Sequence, residues 1–137
     1  MSLEFILPEG WSRPRGFTHG VTGQDRRVLC VAGQLAGATG ADAPPAGMSL
    51  PAQFGASLAN VVRVVQAAGG QAGDIAALRV FVTDIQAFKQ GQAEIAAAWG
   101  KLLGRHFPAM TLVEVRALFE ETAQVEIEAQ ALLPGQG

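Results

Sequence analysis

From Ala123 to Leu133 the chain alternates, with Val125, Ile127, Ala129 and Ala131 on one side and Glu126, Glu128 and Gln130 on the other. A period of two sends these sets to opposite faces of a β-strand, so one face needs a cover and the other must keep access to polar surroundings. The preceding run, Met110 to Leu118, divides in the same way into Thr111, Val113, Val115 and Ala117 against Met110, Leu112, Glu114 and Arg116. The small apolar set is expected under the helices, which leaves Met110 and Leu112 with the acids on the non-helix face. An ordinary solvent-exposed sheet accounts for acids on that face equally well, so the alternation alone defines no site.

The cover comes from two amphipathic segments. Phe54, Leu58, Val61, Val62 and Val65 share one helical face, with Pro51 suited to the first turn and Gly69 and Gly70 to the end. Phe88, Ile95, Trp99 and Leu102 share a face of a second helix, with Asp84 as N-cap and Gly104 as stop. Between them Ala77 to Thr83 reads as a strand. Upstream, Phe17 to Val21 and Arg27 to Gln34 read as an antiparallel hairpin turning at Gly23, Gln24 and Asp25. Leu35 to Met48, with its glycines and the pair Pro44 and Pro45, reads as an irregular loop. The order is strand, strand, helix, strand, helix, strand, strand: an α/β (α+β) chain with two helices packed on one face of a mixed sheet.

The 137 residues suit a single domain, 1–137, with no internal repeat or linker in view. Hydrophobic residues make up 49% and charged residues 16%, few charges for a small monomer, which implies a contact with another subunit. No apolar stretch reaches the roughly 18 residues of a membrane span, and Met1 to Pro14 lacks the layout of a secretory signal. The expectation is a cytoplasmic protein with no membrane partner. A net charge of -2 offers no basic footprint for nucleic acid. Cys30, the single cysteine, sits in an apolar strand and reads as a buried, inert thiol. His19 and His106 lie far apart without acidic partners at ligand spacing, so no metal site is expected.

Several strings in fixed order resemble the Rid (reactive intermediate deaminase, or YjgF) family. They are Val31-Ala32-Gly33-Gln34, Asn60-Val61 ahead of Ala67 to Gly70, Val80-Phe81-Val82-Thr83-Asp84, Pro108-Ala109 before Val113-Glu114-Val115, and Val125 to Ala129. The resemblance runs from about Phe17 to Leu132. It implies a chorismate-mutase-like fold, a homotrimer with small-molecule pockets between subunits, and hydrolysis of imines or enamines without metal or organic cofactor.

The resemblance also implies roles by position. Glu126 matches a glutamate that helps position water. Phe17, Gly33, Phe88 and Gln92 match pocket positions, although plain core packing accounts for Phe17 and Phe88 equally well. Met110 stands where relatives carry an arginine that grips a substrate carboxylate, and a thioether cannot reproduce that two-donor fork. Leu112 stands where many carry cysteine. The reading is therefore an imine or enamine hydrolase acting on a non-classical substrate. A non-catalytic metabolite-binding trimer is the alternative, and a ribonuclease or translation inhibitor is disfavoured by the acidic charge balance. His19 could line the pocket, and Arg116 could replace the lost cation or pair with Glu114 or Glu128.

Overall fold

The computed structural model describes residues 2–135. Strands β1 (Glu4–Ile6), β2 (Gly20–Thr22) and β3 (Arg26–Gln34) are followed by helix α1 (Leu50–Ala67) and, after a single 3-10 turn at Ala72–Asp74, by β4 (Ile75–Val82). Helices α2 (Ile85–Gln90) and α3 (Gln92–Leu103) then lead to β5 (Ala109–Glu114) and β6 (Val125–Pro134). Four strands form a mixed sheet in the order β3-β6-β4-β5, with β4 and β5 parallel and the other pairs antiparallel.

The helices cover one face of this sheet. The apolar stripe of α1 is buried along its whole length, and Val61 and Val65 meet Val80, Val82, Val125 and Ile127 in a core that excludes water completely at these positions. Ser49 caps α1 through a bond from Ala52 N to its Oγ, with Pro51 in the first turn. Asp84 caps α2 in the same manner, accepting from Ala87 N at 3.0 Å. The second helix read from the sequence is two helices, so three rather than two pack on the sheet. Gly91 (φ -94°, ψ 14°) separates them, and a Cβ there would collide with Pro51 of α1. Glycine at this position allows the two elements to approach closely.

The N-terminal reading needs correction too. Gly20–Thr22 pairs antiparallel with Glu4–Ile6 rather than with β3, and Thr18 makes a parallel bridge to Ala109 beside β5. Three residues of β1 with exposed side chains carry too little pattern to announce a strand. The last strand pair is also shorter than expected, because β5 ends at Glu114 and β6 begins at Val125. Cys30, expected to be buried, is exposed. Its neighbours Leu29 and Val31 take the helix side of β3, which turns Cys30 to the open face of the sheet.

A polar stripe on α1 holds the Gly- and Pro-rich loop. Gln53, Ser57 and Asn60, spaced four and three apart, are all buried. Asn60 Nδ2 donates to the carbonyls of Leu35 (2.9 Å) and Gly37 (3.1 Å), while Gln53 Nε2 donates to those of Met48 and Thr122, each at 3.0 Å. Gln53 Oε1 accepts from Gln124 N at 2.8 Å, and Thr122 Oγ1 donates to Pro44 O. An irregular segment thus gains from side chains the partners that a strand would gain from a ladder. Replacing Asn60 by alanine strands two carbonyls, and the expected loss of unfolding free energy is about 1–3 kcal/mol. A urea titration reads it as a lower midpoint at unchanged slope; an unmoved midpoint would show that the loop stands without these bonds.

Candidate functional site

Glu126 lies on the face of the sheet that the helices leave open, directly across from Phe81 on β4. Strand β6 dictates this, since Val125 and Ile127 on either side are completely buried beneath α1. The carboxylate side chain lies against Gly33 of β3: a Cβ at that position would stand 2.7 Å from Glu126 Cδ and 2.9 Å from Cγ. The β3–β6 register shifts between Val31 and Gln34, and this bulge brings the glycine under the carboxylate. Glu126 is half-buried, and among the described residues it makes no hydrogen bond or ion pair. Glu128, two residues on, differs. Its Oε1 accepts from Arg79 Nε at 2.6 Å, in a pair whose side chains remain 39% and 35% exposed.

Met110 and Leu112 do not share that face. Met110 pairs with Leu78 and Leu112 with Val80, both buried beneath the helices, and Met110 and Leu112 pack against the same core. The placement expected from the sequence is thereby reversed for β5: Thr111 and Val113 look to the open side. Glu114 follows Met110 and Leu112, and its Oε1 accepts from Ile85 N at the start of α2 (2.9 Å). Both sides of β5 are largely apolar, so its alternation carried no phase.

On the helix side Met110, Phe88 and Gln92 line one cavity of about 480 Å³, together with Phe54, Trp99, Phe107 and the exposed residues Arg15 and Gly16. Trp99 stacks on Phe54 (centroids 6.4 Å) and on Phe107 (5.8 Å), while Phe88 meets Phe54 edge-on at 5.8 Å. The indole is fixed by its Nε1 bond to His106 O. This aromatic wall joins residues from α1, α2 and α3 to the loop before β5, a convergence with no local signal in the sequence. Gly104 beneath it adopts φ 62° and ψ -125°, a conformation that only glycine holds without strain.

Phe17 and Leu112 do not line this cavity. Phe17 meets His19 edge-on at 5.4 Å, and His19 in turn meets Trp11 at 4.8 Å. His106 hydrogen-bonds Ile75 O and is structural. Arg116 is exposed beyond the end of β5, and the carboxylates proposed as its partners bond elsewhere, Glu114 to Ile85 N and Glu128 to Arg79. Among the described residues no three His, Cys, Asp or Glu side chains gather as metal ligands, and no helix is long and apolar enough to cross a membrane.

A sequence profile of the family described as Endoribonuclease L-PSP matches residues 12–133. A 2-iminobutanoate/2-iminopropanoate deaminase of Salmonella typhimurium is 39% identical over 84 residues, which cover 59% of this chain and 62% of that enzyme, less than two thirds of its length. The crystal structure of a protein of the conserved Rid family from Yersinia pestis, YyfB, superposes with a TM-score of 0.80 at 33% identity, covering 97% of this chain and 100% of that one. The YjgF gene product of E. coli superposes with a TM-score of 0.62 at 30% identity, over 94% and 98% of the two chains.

Gly33 is the residue on which the position of Glu126 can be checked. In Gly33→Ala the new methyl group is expected to drive the carboxylate off β3 and out into the open face, with the fold retained because the displaced atoms belong to a flexible side chain. A crystal structure of the variant tests this. An unmoved Glu126 would show that the glycine does not set its position.

Proposed function

The chain belongs to the Rid (YjgF) family, whose members the Endoribonuclease L-PSP profile collects, and from that premise we propose that it hydrolyses imines or enamines at sites completed between the subunits of a homotrimer. Glu126 carries the reading. It is a half-buried carboxylate with no internal partner, held against a glycine on an uncovered sheet face, beside a second acid that is already paired. Such a group is free to accept a hydrogen bond from water.

In the proposed reaction water is held by Glu126 as its oxygen attacks the C=N carbon. The carboxylate takes the proton released as the C–O bond forms, and the imine nitrogen gains a proton as its double bond opens. The resulting carbinolamine collapses to a carbonyl compound, expelling the nitrogen as ammonia once it has been protonated again. Atoms balance as imine plus water giving carbonyl plus ammonia, with no redox change.

The need for more than one chain comes from the sheet. Glu126 and Gly33 occupy its open face, whereas the cavity of Phe88, Gln92 and Met110 lies on the helix side. A molecule seated in that cavity cannot reach through the strands to Glu126 of the same subunit. Seating the open face of one subunit against the cavity mouth of the next, head to tail around the trimer, would bring the carboxylate of one copy toward the cavity of another. It would also cover Val28, which is 64% exposed, and Val113, which is 41% exposed.

Glu126→Gln keeps the shape of the side chain but cannot take a proton near neutral pH, so hydrolysis is expected to fall by about 10²–10⁴-fold. The oligomer should be unaffected, with a mass three times the 14.3 kDa of one chain. Glu128→Gln, which breaks the pair with Arg79, should disturb assembly more than rate. Full activity in the Glu126 variant would leave metabolite binding as the better account, and a monomeric mass at micromolar concentration would refute a site shared between subunits.

A second expectation concerns the smallest substrates. Met110 offers no donor to a carboxylate, so 2-aminoacrylate should be turned over about two decades or more below the rate of relatives bearing arginine at that position. Comparable rates in a coupled ammonia assay would show that Met110 does not limit substrate choice.

A further inference from the structure

We infer that Arg15 is the anion anchor of the aromatic cavity, and that the cavity takes carboxylates with a flat apolar body, the keto and imino acids of aromatic side chains. This rests on the proposed site, whose substrate class it names. Among the residues lining the cavity Arg15 carries the one charge, and the amide of Gln92 is the one other uncommitted polar side chain, since Trp99 Nε1 is bonded to His106 O. Arg15 forms no ion pair among the described residues, whereas Arg26 is held by Asp74 and Arg79 by Glu128. It is exposed at the cavity, where a guanidinium stays hydrated and charged until an anion arrives.

The remaining lining fits the other end of such a molecule. Phe107, 37% exposed, presents aromatic surface, backed by the buried rings of Trp99 and Phe54, with partly buried Phe88 set edge-on against Phe54 and Met110 closing the sheet side. A volume of about 480 Å³ lies within the range of small-molecule sites and leaves a three-carbon acid surrounded by unfilled space. An aromatic ring fills that space, and a carboxylate reaching the mouth meets a two-donor fork. Position is what distinguishes this cation: it comes from the segment before β2, at the rim, and not from β5.

The test is calorimetric binding of phenylpyruvate, of its uncharged analogue 1-phenylpropan-2-one, and of pyruvate to the full-length protein. Phenylpyruvate is expected to bind wild type about tenfold or more tightly than either of the others, the yield of one charge-assisted contact at a partly exposed site. In Arg15→Gln its affinity should drop to that of the ketone, whose own affinity stays unchanged. Arg15→Lys, a point charge without the fork, should restore part of the difference and shows that the glutamine variant did not act by unfolding. Equal affinity for phenylpyruvate in wild type and Arg15→Gln would overturn the inference, as would equal binding of acid and ketone to wild type, or binding of neither. A Glu126→Gln protein with full turnover would instead refute the hydrolytic reading and leave the anchor standing.

Discussion

Desolvation of two carboxylates fixes the register of β6, and most of the molecule is arranged around that strand. It lies between β3 and β4 and pairs antiparallel with both. Its odd positions from Val125 to Leu133 are buried beneath α1, and its even positions carry Glu126, Glu128 and Gln130. A slip of one residue would turn both acids into the core and send Ile127 and Ala129 outward. Burying an unpaired carboxylate costs several kcal/mol even after relaxation, a large part of the roughly 5–15 kcal/mol that holds a domain folded. The same arithmetic that excludes the slipped register leaves Glu126 with a half-buried, unpartnered position on the open face.

That position also depends on a part of the chain with no regular structure. The β3–β6 bulge that seats Gly33 beneath Glu126 leads straight into the loop tied down by Gln53 and Asn60. Leu35 N is bonded to Gly40 O at 2.7 Å, and Gly40 lies so close to the Gln34 amide that a Cβ there would displace it. Helix α1 therefore does two things with two stripes. Its apolar stripe covers the sheet, and its buried polar stripe holds the backbone that follows β3 in place.

How much of this could be read from the sequence depended on whether a segment has two unlike sides. β6 and α1 do, so their buried faces are legible residue by residue, and the alternation of β6 puts Glu126 on the face where the structure has it. β5 does not: Thr111 and Val113 differ too little from Met110 and Leu112 for alternation to orient it, and its phase is fixed only by its parallel register with β4. The need for glycine at position 91, between α2 and α3, was not legible either, because the close approach is to Pro51 some forty positions earlier. Cys30 lies on β3 at the edge of the four-stranded sheet, and its apolar neighbours suggested burial on both faces where only one is covered. The aromatic cavity joins four separate segments, so Phe54 and Trp99 were legible as core residues but not as a wall.

Placing an unpaired carboxylate and an aromatic cavity on opposite faces of one thin sheet has a physical rationale. A carboxylate that is to hold water needs solvation or hydrogen-bond donors around it, whereas an aromatic cavity gains by excluding water, and adjacent in one subunit each would degrade the other. The sheet keeps them apart while the chain folds. Glu126 then retains its polar surroundings, and the stacked rings of Phe54, Trp99 and Phe107 pack as part of the core that stabilises the fold. Under the proposed assembly the two environments meet only when subunits dock. Neither has to carry the cost of the other in the folding of a single chain.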